Sequence, residues 1–382
     1  MIEKIQTVVI HVNELDLETV VFECKAMGWT VINLSITGVS ILEKSKIDYA
    51  IIDYQPNDET LIKLQNMNCK TIRMGQMIST AIYDVPTISH DLSAEAKFAF
   101  KHFQERNFKS YAYFGSGSLG NFKELCYKFI ELAEHTNCHA SVLRSKTRKG
   151  GKHVLHLCFD NRKAEFEAWL ADLPKPVAIL ASSDGESGVL SEICNQLNIS
   201  IPETVAIIGR GNELNWCMTG HIGLSTIEID YEARAKKAVQ LLLKMVDKRK
   251  AISKDIRIPP KKIILRESTD TIATSEGELV KAIRFMMKNY QKMITVDSIV
   301  KHTSVSRRTL ERLFASELNT TINEKLNQLR IKLCCEQLVN TKKTIIKISK
   351  SCGFSSSVYL QQIFLKKRGI TPGAYRKKYQ IK

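Results

Sequence analysis

Short apolar runs and longer amphipathic segments alternate over the first 276 residues. The apolar runs, each of four to six residues, lie at 5–10, 30–34, 49–53, 69–74, 110–114, 140–143, 177–181 and 205–209. Helix-length amphipathic segments separate most of them, at 14–27, 94–105, 122–133, 162–170 and 188–197. Continuous apolar strands that alternate with helices form parallel sheets covered on both faces. The pattern therefore predicts an α/β fold with two lobes, and a ligand cleft beyond the carboxyl ends of the strands.

The pattern changes after residue 276, where only helical segments follow. They have the spacing of two helix-turn-helix units joined by a long helix, at 295–302 and 307–318, at 324–339, and at 344–352 and 355–367. Gly353 supplies the backbone freedom for the second turn. Residues 269–277 are small and polar, which is typical of a linker.

These patterns predict three parts of the chain. A two-lobed α/β domain covers 1–268, a linker covers 269–277, and an all-α domain with two helix-turn-helix motifs covers 278–382.

The charge of the chain is concentrated at its end. Residues 277–382 contain 22 Lys and Arg against 6 Asp and Glu, a net charge of +16, whereas 1–276 contain 34 of each kind. A folded segment this basic is destabilised by its own field unless it meets a polyanion, and the commonest polyanion is nucleic acid. A merely solvated basic surface would not explain why the charges recur on the outer faces of two repeated units.

Composition excludes several other classes of protein. The chain has 382 residues, of which 44% are hydrophobic and 25% are charged, as in ordinary globular proteins. No apolar run approaches the roughly 18 residues of a membrane helix, and 1–12 has no signal-peptide pattern. The ten cysteines are scattered without CxxC pairs or His partners at metal spacing. We expect a cytoplasmic protein without a membrane segment, a metal or a cofactor.

One motif is typical of dinucleotide enzymes. Residues 115–120 spell GSGSLG, a GxGxxG placed after an apolar strand and before a helix. A dinucleotide site also needs an acidic residue at the end of the next strand, but 144–149 is basic (RSKTRK). A glycine-rich turn is the favoured interpretation, and an NAD(P)-binding enzyme domain fused to a DNA-binding domain remains a remote alternative.

The second half of the first 276 residues resembles a known sensor. ASSD at 181–184 and IPETVAIIG at 201–209 resemble the second lobe of regulators with a periplasmic-binding-protein-like sensor, as in the lactose repressor family. The segments at 224–227 and 230–246 resemble that family's crossover and long helix. The end of the segment, 258–270, resembles the xylose-operon activators. The resemblance covers about 1–270 and implies a sugar-binding cleft.

Three polar contacts of related sugar sensors are missing here. Gly211 stands where an Asp is common, 185–188 lacks an Arg, and Asn121 and Leu125 replace an aromatic–Arg pair. Sugar recognition needs bidentate polar groups and stacking rings, so we expect common aldopentoses to bind weakly.

Four polar residues remain as candidate ligand anchors, namely Asp16, Asp91, Asp184 and Asn212. Each Asp serves equally well as a helix N-cap or turn residue. The alternative to a working sensor is therefore a pair of lobes that act only as a dimerisation scaffold.

The basic segment resembles the arabinose-operon-activator family of transcription factors over nearly all of 278–379. The signature reads ISKSCGFS at 348–355, YLQQIF at 359–364 and GITPGAYR at 369–376, without gaps. The resemblance implies that the first recognition helix aims Arg308, Glu311 and Arg312 at base edges. It implies that the second presents Ser357, Tyr359, Gln361 and Gln362.

The chemistry of these side chains agrees with the implied roles. Arg can bind guanine and Gln can bind adenine bidentately, while Tyr and Ser suit phosphates. Arg307 adds charge to the outer face of the first recognition helix, and Lys366 and Lys367 are assigned to backbone phosphates.

Together these features predict a one-component transcription regulator of a carbohydrate-utilisation operon. We expect a homodimer that binds a double-stranded operator, recruits RNA polymerase as an activator, and responds to a sugar or sugar-like effector.

Overall fold

The computed structural model describes residues 7–12, 14–37, 47–53, 63–64, 66–67, 69–75, 85–116, 122–145, 163–246, 255–274 and 276–379. Its strands are β1 (Thr7–His11), β2 (Thr30–Asn33), β3 (Tyr49–Asp53), β4 (Lys70–Met74), β5 (Thr87–His90), β6 (Ser110–Ser116), β7 (His139–Ser145), β8 (Val177–Ala181), β9 (Val205–Arg210), β10 (Ser225–Glu228), β11 (Asp255–Ile258) and β12 (Lys262–Ile264).

The helices of the sensor domain are α1 (Glu14–Ala26), α2 (Leu34–Thr37), α3 (Leu92–Gln104), α4 (Lys123–His135), α5 (Lys163–Asp172), α6 (Asp184–Gln196), α7 (Leu214–Cys217) and α8 (Tyr231–Val246). Those of the DNA-binding domain are α9 (Gly277–Asn289), α10 (Val296–Val300), α11 (Arg307–Leu318), α12 (Ile322–Asn340), α13 (Ile345–Ser351), α14 (Ser357–Arg368) and α15 (Pro372–Tyr379). No helix in this described part of the chain combines the length and apolarity that crossing a bilayer requires.

Two six-stranded sheets form the two lobes, as the alternation of strands and helices predicts. Lobe 1 contains the parallel sheet β11-β5-β4-β3-β1-β2, against which α1 and α8 pack. Lobe 2 contains the sheet β12-β10-β9-β8-β6-β7, in which only the pairing of β12 with β10 is antiparallel. Aromatic side chains of α3, α4 and β6 fill one side of the lobe 2 core.

The described part of the chain crosses between the lobes three times, and the crossings lie side by side. Asp91 N donates to Ile258 O at 2.8 Å, and Lys261 N donates to Glu228 O at 2.9 Å. The backbone bonds therefore join all three crossings into one hinge region. This hinge adjoins the carboxyl ends of β5, β9 and β10, where an α/β protein binds its ligand.

Several details of the sensor differ from the expected pattern, and strands β10, β11 and β12 were not among the predicted apolar runs. Helix α6 begins at Asp184, four residues before the predicted start, because Ser183 caps it by accepting from Glu186 N at 3.2 Å. Strand β5 was not predicted from the apolar runs, since Thr87, Ser89 and His90 are polar, yet all of its residues are buried. A short central strand can hold polar side chains when they are hydrogen-bonded.

The DNA-binding domain contains two similar three-helix arrangements, α9–α11 and α12–α14, followed by α15. Both recognition helices, α11 and α14, begin after a serine N-cap, since Ser306 accepts from Thr309 N and Ser356 accepts from Tyr359 N. Both end in a left-handed residue, Asn319 (φ 46°) and Gly369 (φ 72°). These caps fix the helix ends at equivalent positions in the two units.

Most of the described residues in the segment expected as a linker, 269–277, are buried. Thr269, Thr271, Ile272, Ala273 and Thr274 are each at most 9% exposed. Ile272 packs in the core of the first helix-turn-helix unit with Leu279 and Ile283. The segment therefore joins the sensor to the DNA-binding domain as a packed connection.

Candidate DNA-binding surface and effector cleft

The first recognition helix presents its charged residues to solvent. Leu310 and Phe314 on α11 are fully buried, and this packing turns Arg308, Glu311 and Arg312 outward, where all three are exposed. Such a face, starting at a capped helix N-terminus, has the geometry of a helix that reads the major groove.

Arg307 has a different position from its neighbour. Its Nε donates to Glu311 Oε1 at 2.9 Å, and its Nη1 donates to Asp297 Oδ1 at 3.3 Å. These exposed pairs add little stability, but they engage Glu311 and Arg307 with one another. Arg308 and Arg312 make no ion pair within the described residues, so their guanidinium groups are available to an acceptor from outside.

The second recognition helix has a mainly uncharged reading face. Gln361, Gln362, Lys366 and Lys367 are exposed, and Ser357 is half-buried. Tyr359 packs its ring edge-on against Phe354, and its hydroxyl accepts from Asn327 Nδ2 at 3.2 Å. The hydroxyl hydrogen of Tyr359 is thus left for a phosphate, while its ring belongs to the core of the unit.

Val358 is a surface residue that the sequence reasoning missed. It lies in the first turn of α14 and is 64% exposed. An exposed apolar side chain at this place on a recognition helix suits the methyl group of thymine. The signal in the sequence was a valine directly after three serines at the start of the helix.

The orientation of the two units is fixed by Arg330 on α12. Its guanidinium is buried and donates to Tyr290 O at 3.0 Å, Lys292 O at 2.9 Å and Ile294 O at 3.1 Å. The same group lies 5.8 Å from the ring centroid of Phe354 in the second unit. One side chain therefore contacts both units.

The four predicted ligand anchors all have partners within the protein. Asp91 caps α3 by accepting from Ala94 N at 2.8 Å, and Asn212 Oδ1 accepts from Arg266 at 2.9 Å. Asp184 is fully buried and accepts from Glu213 N at 2.8 Å, and its burial raises the pKa of its carboxyl. Asp16 forms a buried ion pair with Arg234.

A second buried ion pair lies in lobe 2. Arg210, the last residue of β9, donates to both carboxylate oxygens of Glu95 in the first turn of α3. Its guanidinium lies 5.1 Å from the ring centroid of Phe122. Burial raises the pKa of the Glu95 carboxyl, an effect that the adjacent guanidinium opposes.

Two aromatic residues of the hinge lie between the ion pairs. The rings of His90 and Tyr231 meet edge-on at 5.2 Å, and the Arg234 guanidinium lies 5.5 Å from the Tyr231 ring centroid. Burial lowers the pKa of His90, and the charges of Arg234 and Arg210 lower it further. We call Asp16, Arg234, His90, Tyr231, Arg210 and Glu95 the hinge cluster.

The hinge cluster contains polar side chains in place of the three ligand contacts that the sequence pattern lacked. Two guanidinium groups, one from each lobe, can donate to ligand oxygens, and each is positioned by a carboxylate. The sequence reasoning found only Asp16, because the pairs join residues 115 and 218 positions apart.

Some predicted positions contribute differently. Leu125 is fully buried in the lobe 2 core, so it faces no ligand. Gly115 belongs to strand β6 and leaves no room for a side chain beside the Tyr113 ring. The remaining glycines of the GxGxxG motif, and Asn121, lie outside the described residues.

Comparisons with known proteins agree with this architecture. Residues 100–269 match the periplasmic binding protein-like domain family, and residues 299–378 match a helix-turn-helix domain family. The chain is 26% identical to the xylose operon regulatory protein of Escherichia coli (strain K12) over 292 residues, which cover 76% of this chain and 73% of that protein. It is 26% identical to the protein of the same name from Haemophilus influenzae, over 88% of this chain and 86% of that one.

A solved structure has the same fold from end to end. The structure of a xylose-binding transcription activator superposes with a TM-score of 0.60 and 22% sequence identity, and the alignment covers all of both chains. The two-lobed sensor followed by the helical domain is thus an arrangement that occurs in a solved protein.

Proposed function

We propose that this chain, which joins a periplasmic-binding-protein-like sensor to a helix-turn-helix DNA-binding domain, is a transcription regulator whose DNA binding responds to a small ligand. The observation that carries the proposal is the pair of capped recognition helices in a domain with a net charge of +16. Neither packing in the core nor catalysis accounts for the unpaired arginines on the outer face of α11 and the exposed glutamines on the outer face of α14.

The roles of the exposed side chains follow from their chemistry. Arg308 and Arg312 would bind guanine edges, and Gln361 and Gln362 would bind adenine edges, while Val358 would contact a thymine methyl. Lys366 and Lys367 at the end of α14 would neutralise phosphates. Arg307 and Glu311 would act as a pair. Glu311 would then hold the Arg307 side chain in place and would not itself contact a base.

Selection of binding duplexes from a random library tests this proposal. The full chain should enrich a defined sequence, and Arg308→Ala with Arg312→Ala should abolish the enrichment. Arg257→Ala removes an exposed arginine of the sensor and serves as the matched control, which should enrich the same sequence as the unsubstituted chain. Failure of the unsubstituted chain to enrich any sequence would refute sequence-specific binding.

The effector is proposed to be carbohydrate-like. The relatives are named for a xylose operon, and the hinge cluster holds two guanidinium groups, each paired with a carboxylate, whose remaining N–H groups can donate to hydroxyl groups. Asp184 Oδ2 and Asn212 Oδ1 would bind a ligand only by giving up present partners, whereas Asp184 Oδ1 has no hydrogen-bond partner among the described residues. We therefore expect D-xylose to bind weakly, since an unmet buried hydrogen bond costs about 1–3 kcal/mol.

Calorimetry with D-xylose decides this point. Weak or undetectable heat is the expected result, and micromolar affinity would show that the hinge cluster and its neighbours suffice for a pentose. No detectable heat of binding with any member of a panel of sugars and sugar acids would favour the alternative in which the lobes serve only as a dimerisation scaffold.

The remaining parts of the proposal follow from family resemblance. A homodimer in the cytoplasm would place paired DNA-binding domains on two half-sites and recruit RNA polymerase as an activator. Large apolar side chains are exposed on both lobes, among them Phe22, Ile36, Leu214 and Met218, and such side chains suit a protein–protein contact.

A further inference from the structure

Three asparagines occupy the same structural position in lobe 2. Asn107, Asn137 and Asn198 follow α3, α4 and α6, with φ angles of 63°, 54° and 54°. Each donates its backbone N–H to the carbonyl three residues earlier, at 3.0, 2.9 and 3.1 Å. Asparagine tolerates the left-handed conformation that ends a helix. The backbone alone therefore explains an asparagine at all three places.

The side chain of Asn107 makes contacts that this backbone role does not require. Its Nδ2 donates to Ala273 O at 3.3 Å and to Glu317 O at 3.0 Å. Glu317 lies in the last turn of α11, the first recognition helix, where carbonyl groups have no partner within the helix. The side chains of Asn137 and Asn198 make no such bond within the described residues.

Other contacts surround Asn107 and attach the DNA-binding domain to lobe 2. Arg106 is buried, its Nε donates to Thr269 O at 2.9 Å, and its backbone carbonyl accepts from Ala273 N at 2.8 Å. Ion pairs join Glu105 to Lys332 on α12, at 3.9 Å, and Glu203 to Arg284 on α9. The sensor residues in these contacts all belong to lobe 2.

Helix α3 connects this junction with the hinge cluster. Glu95, at the start of α3, is paired with Arg210, and Asn107 lies twelve residues further on, about 18 Å along a helix. Because α3 is one packed helix, a change in the Glu95–Arg210 pair that shifted its start would also shift its far end.

We propose that Asn107 is a positioning residue for DNA recognition, which fixes α11 on lobe 2 and passes movements of α3 to that helix. The proposal rests on the proposed function and adds its regulation: ligand occupancy at the hinge cluster would alter how α11 is held. The junction itself exists in the protein without DNA.

Hydrogen exchange on the full chain without DNA tests the junction. Asn107→Gly keeps the left-handed backbone and removes the side chain with its amide, and it should raise exchange in 272–290 and 307–318 at least threefold. Asn137→Gly is the matched control and should change exchange only around α4. Equal exchange in α11 for the two variants would overturn the proposal.

A double-mutant cycle tests transmission along α3. Glu95→Gln should change exchange in 307–318 in the unsubstituted background and leave it unchanged when Asn107→Gly is present. Additive effects would contradict a route through Asn107. Glu95→Asp repeats the cycle if Glu95→Gln does not fold.

Measurements of DNA affinity then distinguish a failure of this proposal from a failure of the proposed function. With a selected duplex, Asn107→Gly should change the affinity at least threefold without changing its salt slope, because no phosphate contact is altered. An unchanged affinity would show that the junction does not position α11 for DNA. Absence of DNA binding by the unsubstituted chain would instead refute the proposed function, while leaving the exchange result intact.

Discussion

Gly353 shows how strongly one residue constrains the DNA-binding domain. It has a φ of 78°, and a Cβ there would lie 2.3 Å from Tyr290 O and 2.6 Å from Lys292 O. Gly369 has a similar φ of 72°, but its Cβ would meet nothing within 4 Å. A side chain at Gly369 would therefore meet backbone strain alone, whereas a side chain at Gly353 would meet backbone strain and a steric clash.

We expect Gly353→Ala to destabilise the domain far more than Gly369→Ala. The second change costs the left-handed strain alone, about 1–2 kcal/mol, whereas the first also forces the turn away from α9. Hydrogen exchange of core amides in α14 measures the local stability within the full chain. Equal losses in the two variants would show that the turn can move freely.

At the DNA surface, Arg308 and Lys366 should have different effects. Arg308→Ala should cost about 1–3 kcal/mol with the selected duplex and relax the preference at one or two base pairs. Lys366→Ala should weaken all duplexes about equally and make the salt slope shallower. Binding titrations with selected and random duplexes distinguish them, and an equal loss on both duplexes for Arg308→Ala would contradict its assignment to a base edge.

Among the elements, those with local signals were predictable and those with distant partners were not. The recognition helices follow from a serine cap and inward Leu and Phe residues within one short segment. The buried pairs of Arg210 and Arg234 have no local signal, since their carboxylates lie far away in the chain. Likewise, small polar residues of the expected linker are buried because Thr269 bonds His102 and Ser225, which composition alone does not reveal.

His102, on helix α3, should make the stability of the sensor depend on pH. Burial lowers the pKa of His102 well below its usual range, and the charges of Arg106 and Lys332 lower it further. The unfolded chain then binds a proton that the folded chain does not, so this stability is present above about pH 6.5 and is lost as the pH falls.

We therefore expect the free energy of unfolding to decrease from pH 7.5 to pH 5.5, by roughly 1.4 kcal/mol per pH unit below 6.5 from His102. His102→Gln should remove that share of the slope, whereas His135→Gln, at an exposed position on α4, should leave it in place. Urea denaturation at several pH values gives the slopes. Parallel slopes for the unsubstituted chain and His102→Gln would disprove the role of His102.

At the scale of the whole molecule, the contacts described above between the sensor and the DNA-binding domain all involve lobe 2. The junction residues of the sensor are in lobe 2, while the hinge cluster draws residues from both lobes. Closure of the lobes on a ligand would therefore move the DNA-binding domain relative to lobe 1, and with it any dimer contact that lobe 1 makes. Under the proposed function, this arrangement would link ligand binding to the spacing of the DNA-binding domains in a dimer.

The central claim, that the basic domain binds duplex DNA, is tested most directly by the salt dependence of binding. Fluorescence anisotropy of a labelled duplex with the full chain, between about 50 and 200 mM salt, gives the slope of log affinity against log salt concentration. We predict a slope of roughly −5 or steeper, because a net charge of +16 lies in the domain that contacts the phosphates. A slope near zero, or no binding at the lowest salt concentration, would contradict the account.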